Sequence, residues 1–177
     1  RDKKKIFQVG SQQRSDARFR QACELVRNGK LGKVSLVKVG IPGNNFKGPP
    51  VEDSAPPPEL DYPTWLGPAP ERAYNAKRVH YLFRFFWDYS GGQMTNFGAH
   101  HLDVAQWGLG MDESGPVSIE AKAKSHAMKW YEVPEWCEVT YTYASGVKMT
   151  CTMGGRVGTE FIGDKGRVFV TRGKVET

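Results

Sequence analysis

Two of the four histidines of the 177-residue chain fall within Gly91 to Gly110, GGQMTNFGAHHLDVAQWGLG, beside a carboxylate and a tryptophan at helical spacing. At 100° per residue, His100, Asp103, Val104 and Trp107 share one face of a helix, and Leu102, Ala105 and Leu109 take the opposite one. A near-neutral imidazole next to a carboxylate is suited to moving a proton at neutral pH. The i, i+3 pair His100 and Asp103 also has the residue types of a zinc site, but no third ligand accompanies it. Taken without context, His100 reads first as a hydrogen-bonded pocket-wall residue. His101, about 100° further round, reads as packing or surface, and His80 and His126 have no chemical context.

Several elements must position this stretch. Gly91-Gly92 and Gly98 are breaker signals, which leaves a short helix over Ala99 to Leu109 closed by Gly110. Upstream, Lys5 to Gly10 reads as a short β-run, followed by a polar connection ending on Ser15 as N-cap with Asp16 in the first turn. Phe19, Ala22, Cys23 and Val26 recur at i, i+3, i+4 and i+7, and Gly29 stops that helix. Lys33 to Val39 alternates as a strand, so the entry reads β-α-β. From Pro42 to Pro70 the chain carries nine of its eleven prolines, which exclude helix interior and central strand and predict a long irregular excursion. Tyr74 to Tyr89 is an aromatic-rich mixed segment. Beyond Gly110 the texture is β: Val117 to Lys124, Cys137 to Tyr143 and Val147 to Met153 alternate, and Phe161 to Val170 reads as a hairpin turning at Asp164 to Gly166. The fold class expected is α+β, a mainly antiparallel open sheet with helices on one face, the other bearing Thr140, Thr142, Lys148, Thr150 and Thr152.

Composition narrows the functional classes. A hydrophobic content of 39% with 25% charged residues is that of one globular domain, and no run approaches the roughly 18 apolar residues of a membrane span. The net charge of +6 is dispersed apart from the RDKKK run at the start, and no nucleic-acid motif accompanies it, so neither nucleic acid nor membrane is expected as a partner. Cys23, Cys137 and Cys151 are odd in number and widely spaced, reading as buried thiols, with a Cys137–Cys151 disulfide formally open. The chain starts with Arg1 and ends inside a strand pattern, so a fragment of a longer protein is expected.

Asn96-Phe97-Gly98-Ala99-His100, followed by Asp103, resembles the D-x-G-x-H-x-x-D signature of the Gfo/Idh/MocA oxidoreductases (glucose-fructose oxidoreductase, inositol dehydrogenase and relatives). Asn96 departs from it, standing where that family usually has an aspartate. Phe7 to Arg14 is similar to the family's last Rossmann strand and crossover, Ala22 to Lys33 to the helix and turn that follow, and WLGPAP at Trp65 to Pro70 to a bacterial branch. The resemblance implies a remnant of the dinucleotide domain over residues 1–15 and a substrate-binding and oligomerisation domain over 16–177. It implies NAD or NADP as cofactor, a sugar, cyclitol or polyol substrate, a homo-oligomer formed through the sheet, and a cytoplasmic location. By the same resemblance His100 is catalytic and Asn96 positions. Asp103, Arg84, Trp87 and Trp65 are the expected substrate contacts, and Gln13 and Arg14 the expected cofactor contacts. No G-x-G-x-x-G turn or E-K-P-type lysine is present, so the chain alone is expected to be inactive. The rival readings are an NAD-dependent glycoside hydrolase of the same family and a non-catalytic dimerisation or sugar-binding domain.

Overall fold

A computed structural model describes residues 3–177; Arg1 and Asp2, the first residues of the basic RDKKK run, lie outside the described residues. Seven strands form one sheet in the order β2-β3-β4-β1-β5-β6-β7, with β1 spanning Val34–Ile41, β2 Ser118–Lys124, β3 Trp136–Thr142, β4 Lys148–Met153, β5 Gly158–Gly163, β6 Arg167–Thr171 and β7 Lys174–Glu176. β1 runs parallel to β4 (Val39 opposite Cys151) and antiparallel to β5 (Val39 opposite Thr159), and every other pairing is antiparallel. The sheet is open and mixed, as the α+β expectation requires, and the turn at Asp164 to Gly166 joins β5 to β6.

Alternation decides the two faces. Val37, Val39 and Ile41 of β1 are buried with Met149, Cys151 and Met153 of β4, Phe161 of β5, and Val168 and Val170 of β6. Each such side chain contributes roughly 1.5–3 kcal/mol on leaving water. This face is covered by α1 (Ala17–Arg27) and α3 (Gly92–Leu109). The other carries Lys38, Thr150, Thr152 and Glu160, one residue out of phase. Cys23, Cys137 and Cys151 are buried and free, so the disulfide does not form.

Helix α1 presents Phe19, Ala22 and Cys23 to the core. Its N-cap is Asp16, not Ser15: Asp16 accepts a hydrogen bond from the Arg18 backbone N–H at 2.8 Å. At the other end Gly29 sits at φ +69° while the Lys30 N–H bonds the Leu25 carbonyl, the closure a left-handed residue permits. The expected strand over Lys5 to Gly10 is not formed. No strand of this sheet adjoins it, so the run has nothing to pair with, and Ile6, Phe7 and Val9 are 98%, 89% and 74% exposed. The β-α-β entry therefore reduces to a 3₁₀ turn at Gln12–Ser15, α1 and β1.

The proline-rich excursion is irregular until α2 (Tyr62–Leu66), whose N-cap Asp61 accepts hydrogen bonds from the Thr64 N–H and hydroxyl at 3.2 and 2.6 Å. The mixed segment resolves into turns and a 3₁₀ turn at Leu82–Phe85. Two aromatic clusters hold these segments down. Phe85 and Phe86 pack with Tyr131 and Val133, and Tyr62 packs with Tyr74 and Val79.

Candidate functional site

Helix α3 is longer than the breaker signals suggest. It starts at Gly92 and runs without interruption through Gly98, because Gly98 is buried between Met94 and Leu102. The packing of an 18-residue helix outweighs the roughly 1 kcal/mol that an interior glycine costs. Gly92 is needed at the start: φ is +67°, and a Cβ there would lie 3.0 Å from Asn44 Oδ1 and 3.1 Å from Val133 Cγ2. The face turned to the core differs from that expected. Gly98, His101, Val104, Ala105 and Gly108 form the buried stripe, so Val104 is not on the polar front. Small residues let the helix lie close on the sheet, and at Gly108 a Cβ would meet the Phe161 ring at 2.4 Å.

His100 is half-buried on the flank of α3. Desolvation first and the Arg172 guanidinium second lower its pKa, and Asp103 opposes them. The ring is therefore neutral at pH 7. Asn96, one turn before it, donates from Nδ2 to Gln93 Oε1 at 2.9 Å. The Gln93 backbone N–H in turn bonds Asn44 Oδ1 at 2.9 Å, and Asn44 Nδ2 donates to the Pro134 carbonyl at 2.6 Å. This chain ties the first turn of α3 to the irregular segments around it and fixes the Asn96 amide, whose oxygen has no partner among the described residues.

His101 is fully buried, and neither ring nitrogen has a hydrogen-bond partner among the described residues. Phe19 and Phe97 lie beside the ring at 6.2 and 6.4 Å between centroids. Burial, then Arg172 and His100, lower its pKa to about 4. The sequence offered a packing role for it but no sign of this depth. The available signal was the run of small residues Gly98, Ala105 and Gly108 flanking it on one stripe.

The other expected site residues separate. Arg14 Nε and Nη2 clasp Asp103 at 2.8 and 2.7 Å, and Nη2 also reaches Asp112 at 2.7 Å, so its pKa is raised by hydrogen bonds to the two carboxylates. The same guanidinium lies 5.5 Å from the centre of the Trp107 ring. An expected cofactor contact and an expected substrate contact thus hold each other, pinning the segment before α1 to α3. Gln13 is buried, and neither amide atom has a hydrogen-bond partner among the described residues. Arg84 turns back to donate to the Tyr81 carbonyl at 2.8 Å and stacks 3.9 Å from the centre of the Tyr81 ring. Trp87 is 58% exposed. Trp65 lines a pocket of about 510 Å³ with Leu66, Pro68, Phe83, Asp88 and Tyr89. His100 is not among that pocket's lining residues. Among the described residues no three His, Cys, Asp or Glu side chains gather as a metal site.

Residues 10–173 match the oxidoreductase family, C-terminal alpha/beta domain, of the Gfo/Idh/MocA group. The chain belongs to this family. Among solved structures it is similar to the WlbA dehydrogenase from Chromobacterium violaceum in complex with NADH and UDP-GlcNAcA, at 19% identity over 96% of this chain and 42% of that one, TM-score 0.62. It is similar also to the aldose-aldose oxidoreductase from Caulobacter crescentus complexed with glycerol, at 18% identity over 91% of this chain and 39% of that one, TM-score 0.60. A third is the WlbA dehydrogenase from Bordetella pertussis with the same two ligands, at 16% identity over 92% and 43%, TM-score 0.61. At these identities the likeness is one of fold. The Gfo/Idh/MocA domain described here spans less than half the length of these structures. No curated protein matches the sequence. Among the described residues no helix is long and apolar enough to cross a membrane.

Proposed function

We propose that this domain is the substrate side of an NAD(P)-dependent oxidoreductase acting on a sugar, cyclitol or related polyol, with His100 as the proton acceptor. The observation that carries this reading is His100 itself: a half-buried, neutral imidazole on a family helix, one turn after an asparagine whose amide oxygen has no partner among the described residues. Relatives of the same fold complexed with NADH and a sugar nucleotide support the substrate and cofactor classes.

A bound nicotinamide supplies the acceptor for the hydride that leaves the alcohol carbon. The residues of this chain fit the proton half of that chemistry. His100 accepts the hydroxyl proton, and burial together with Arg172 keeps the ring deprotonated and ready to do so. Asn96 Oδ1 accepts a hydrogen bond from the substrate hydroxyl or from the imidazole N–H. Asp103, held by Arg14, is fixed one turn beyond and stabilises the imidazolium that forms. Gln13 and Arg14 do not fit the pyrophosphate, since Gln13 is buried and Arg14 is engaged by two carboxylates, so the dinucleotide is held by residues other than these. Residues 1–15 then belong to the dinucleotide side and 16–177 to the substrate side. The bared Ile6, Phe7 and Val9 support that division, as an apolar run with no sheet beside it among the described residues. The polar open face of the sheet and the fully exposed edge strand β2 support a homo-oligomer formed through the sheet.

In the full-length enzyme, His100→Ala lowers kcat and kcat/KM together by roughly 10² to 10⁴, the usual contribution of a positioned base. Near-normal turnover on the true substrate returns His100 to a pocket-wall role.

A further inference from the structure

Arg172 stands beside α3 with no ion pair or hydrogen bond from its side chain among the described residues, and it is exposed. It opens the two-residue turn of the β6–β7 hairpin, closed by Gly173 at φ +82° and held by the pairing of Thr171 with Lys174. The neighbouring cations are taken. Arg167 meets Glu160 at 3.9 Å, and Arg156 and Lys174 share Glu176. The nearest carboxylate on the helix side is taken too, since Arg14 clasps Asp103 at 2.8 and 2.7 Å. The Arg172 guanidinium carbon lies 5.1 Å from the centre of the Phe97 ring, and the His100 ring lies 6.3 Å from that same centre, at 86° to its plane. Both groups therefore border one aromatic ring. They also sense each other, for Arg172 follows burial among the causes that lower the His100 pKa.

A guanidinium over an aromatic ring keeps its N–H edge, a rigid fork that matches a carboxylate with two parallel hydrogen bonds. A neutral polyol gains little from that edge beyond what water already supplies, and an amino sugar is repelled by it. The charge of the surroundings favours a monoanion over a phosphate dianion. His101 is neutral at pH 7, with its pKa near 4, and His100 is neutral as well, so Arg172 faces the margin of α3 as a single positive charge with the Asp103 carboxylate on the far side of His100's surroundings. A uronate carries its carboxylate and its secondary hydroxyls on one ring, so one molecule serves both groups that flank Phe97.

We propose that Arg172 binds a carboxylate of the substrate, so that the polyol oxidised at His100 is a sugar acid and not a neutral sugar. The proposal rests on the assignment of His100 above, and its test separates the two. The 177-residue protein is titrated at constant ionic strength with glucuronate and with galacturonate, and with glucose, glucose 6-phosphate and acetate for comparison, while the Arg172 Nε–H and the His100 ring are followed by NMR. A uronate shifts both signals saturably and raises the His100 pKa, because the bound anion offsets the guanidinium; glucose does neither. Arg172→Gln weakens uronate binding by about tenfold, read at the His100 ring, and raises the His100 pKa in the free protein, a change that a merely structural arginine would not produce. Arg172→Lys keeps the charge without the fork and binds between the two. No saturable shift with either uronate, binding no tighter than that of acetate or glucose, preference for glucose 6-phosphate, or undiminished affinity in Arg172→Gln overturns the proposal. Loss of turnover in full-length His100→Ala beside a silent Arg172 leaves the catalytic assignment standing and removes the carboxylate site. An Arg172 shift beside normal turnover in His100→Ala does the reverse.

Discussion

Acid destabilises this domain through His101 before its carboxylates titrate. The ring is fully buried, both nitrogens lack a partner among the described residues, and its pKa is lowered to about 4 from an ordinary 6.5, by burial first and then by Arg172 and His100. Between those values the unfolded chain binds a proton that the folded chain does not, so stability rises with pH across this window and is lost as pH falls. At 1.36 kcal/mol per unit, acidification from pH 7.5 to 4.5 removes about 2.5 kcal/mol, a large share of the 5–15 kcal/mol typical of a domain. Urea unfolding at pH 4.5, 5.5, 6.5 and 7.5 reads this directly, with the m-value checking that one transition is followed. His101→Leu, close in volume and without a titrating group, flattens the profile, leaving the smaller slope of the same sign due to His100. Leucine also needs no hydrogen bond where the imidazole has none, so at neutral pH the variant is at least as stable as the parent. An equal pH slope in the parent and in His101→Leu refutes the argument, because some other group would then carry the proton uptake.

Three further outcomes follow from the geometry. Asn96→Asp places a negative charge one turn from His100 and favours the imidazolium; His100 then has a raised pKa and the acidic limb of the kcat/KM profile moves to higher pH, and an unmoved limb contradicts the pairing. Gly108→Ala gains up to about 1 kcal/mol of helix propensity but forces a Cβ into the buried Phe161 ring, an overpacking cost of about 1–3 kcal/mol, so the thermal midpoint falls; a rise shows that the helix can lift without loss. Sedimentation across a wide concentration range shows a dimer or higher species if the sheet is an interface, and a strict monomer counts against that role.

How much of this was legible in the sequence depended on whether neighbours in sequence were also neighbours in space. The alternation from Cys137 to Met153 and the turn at Asp164 to Gly166 placed β3, β4 and β6 to within a residue, since a hairpin's partners are adjacent and its faces follow the period of two, whereas β5 was read only from Phe161 and begins at Gly158. Where the deciding partner is distant, local signals mislead. Gly98 looked like a break and is instead a buried helical contact. Lys5 to Gly10 looked like a strand and has no partner to pair with. Arg14 and Asp103, 89 residues apart and each a candidate ligand contact, satisfy each other.

The adjacent histidines show the same limit at its sharpest. His100 and His101 share a residue type and a helix, and the family motif selects His100, but nothing local says what the other does. A wheel drawn on Ala99 to Leu109 alone put Val104 on the polar front, because the stripe through Gly98, His101, Ala105 and Gly108 has little hydrophobicity to announce it. Its small residues mark close approach, not the apolar bulk that a periodicity count detects. Once that stripe is against the sheet, a turn of 100° fixes both fates. His101 enters a packed interior where charging it costs stability, and His100 stays at the margin, where partial burial and then Arg172 lower its pKa. The exposed-margin and the buried histidine are thus products of one packing decision, and a variant that rotated α3 on the sheet would disturb both together.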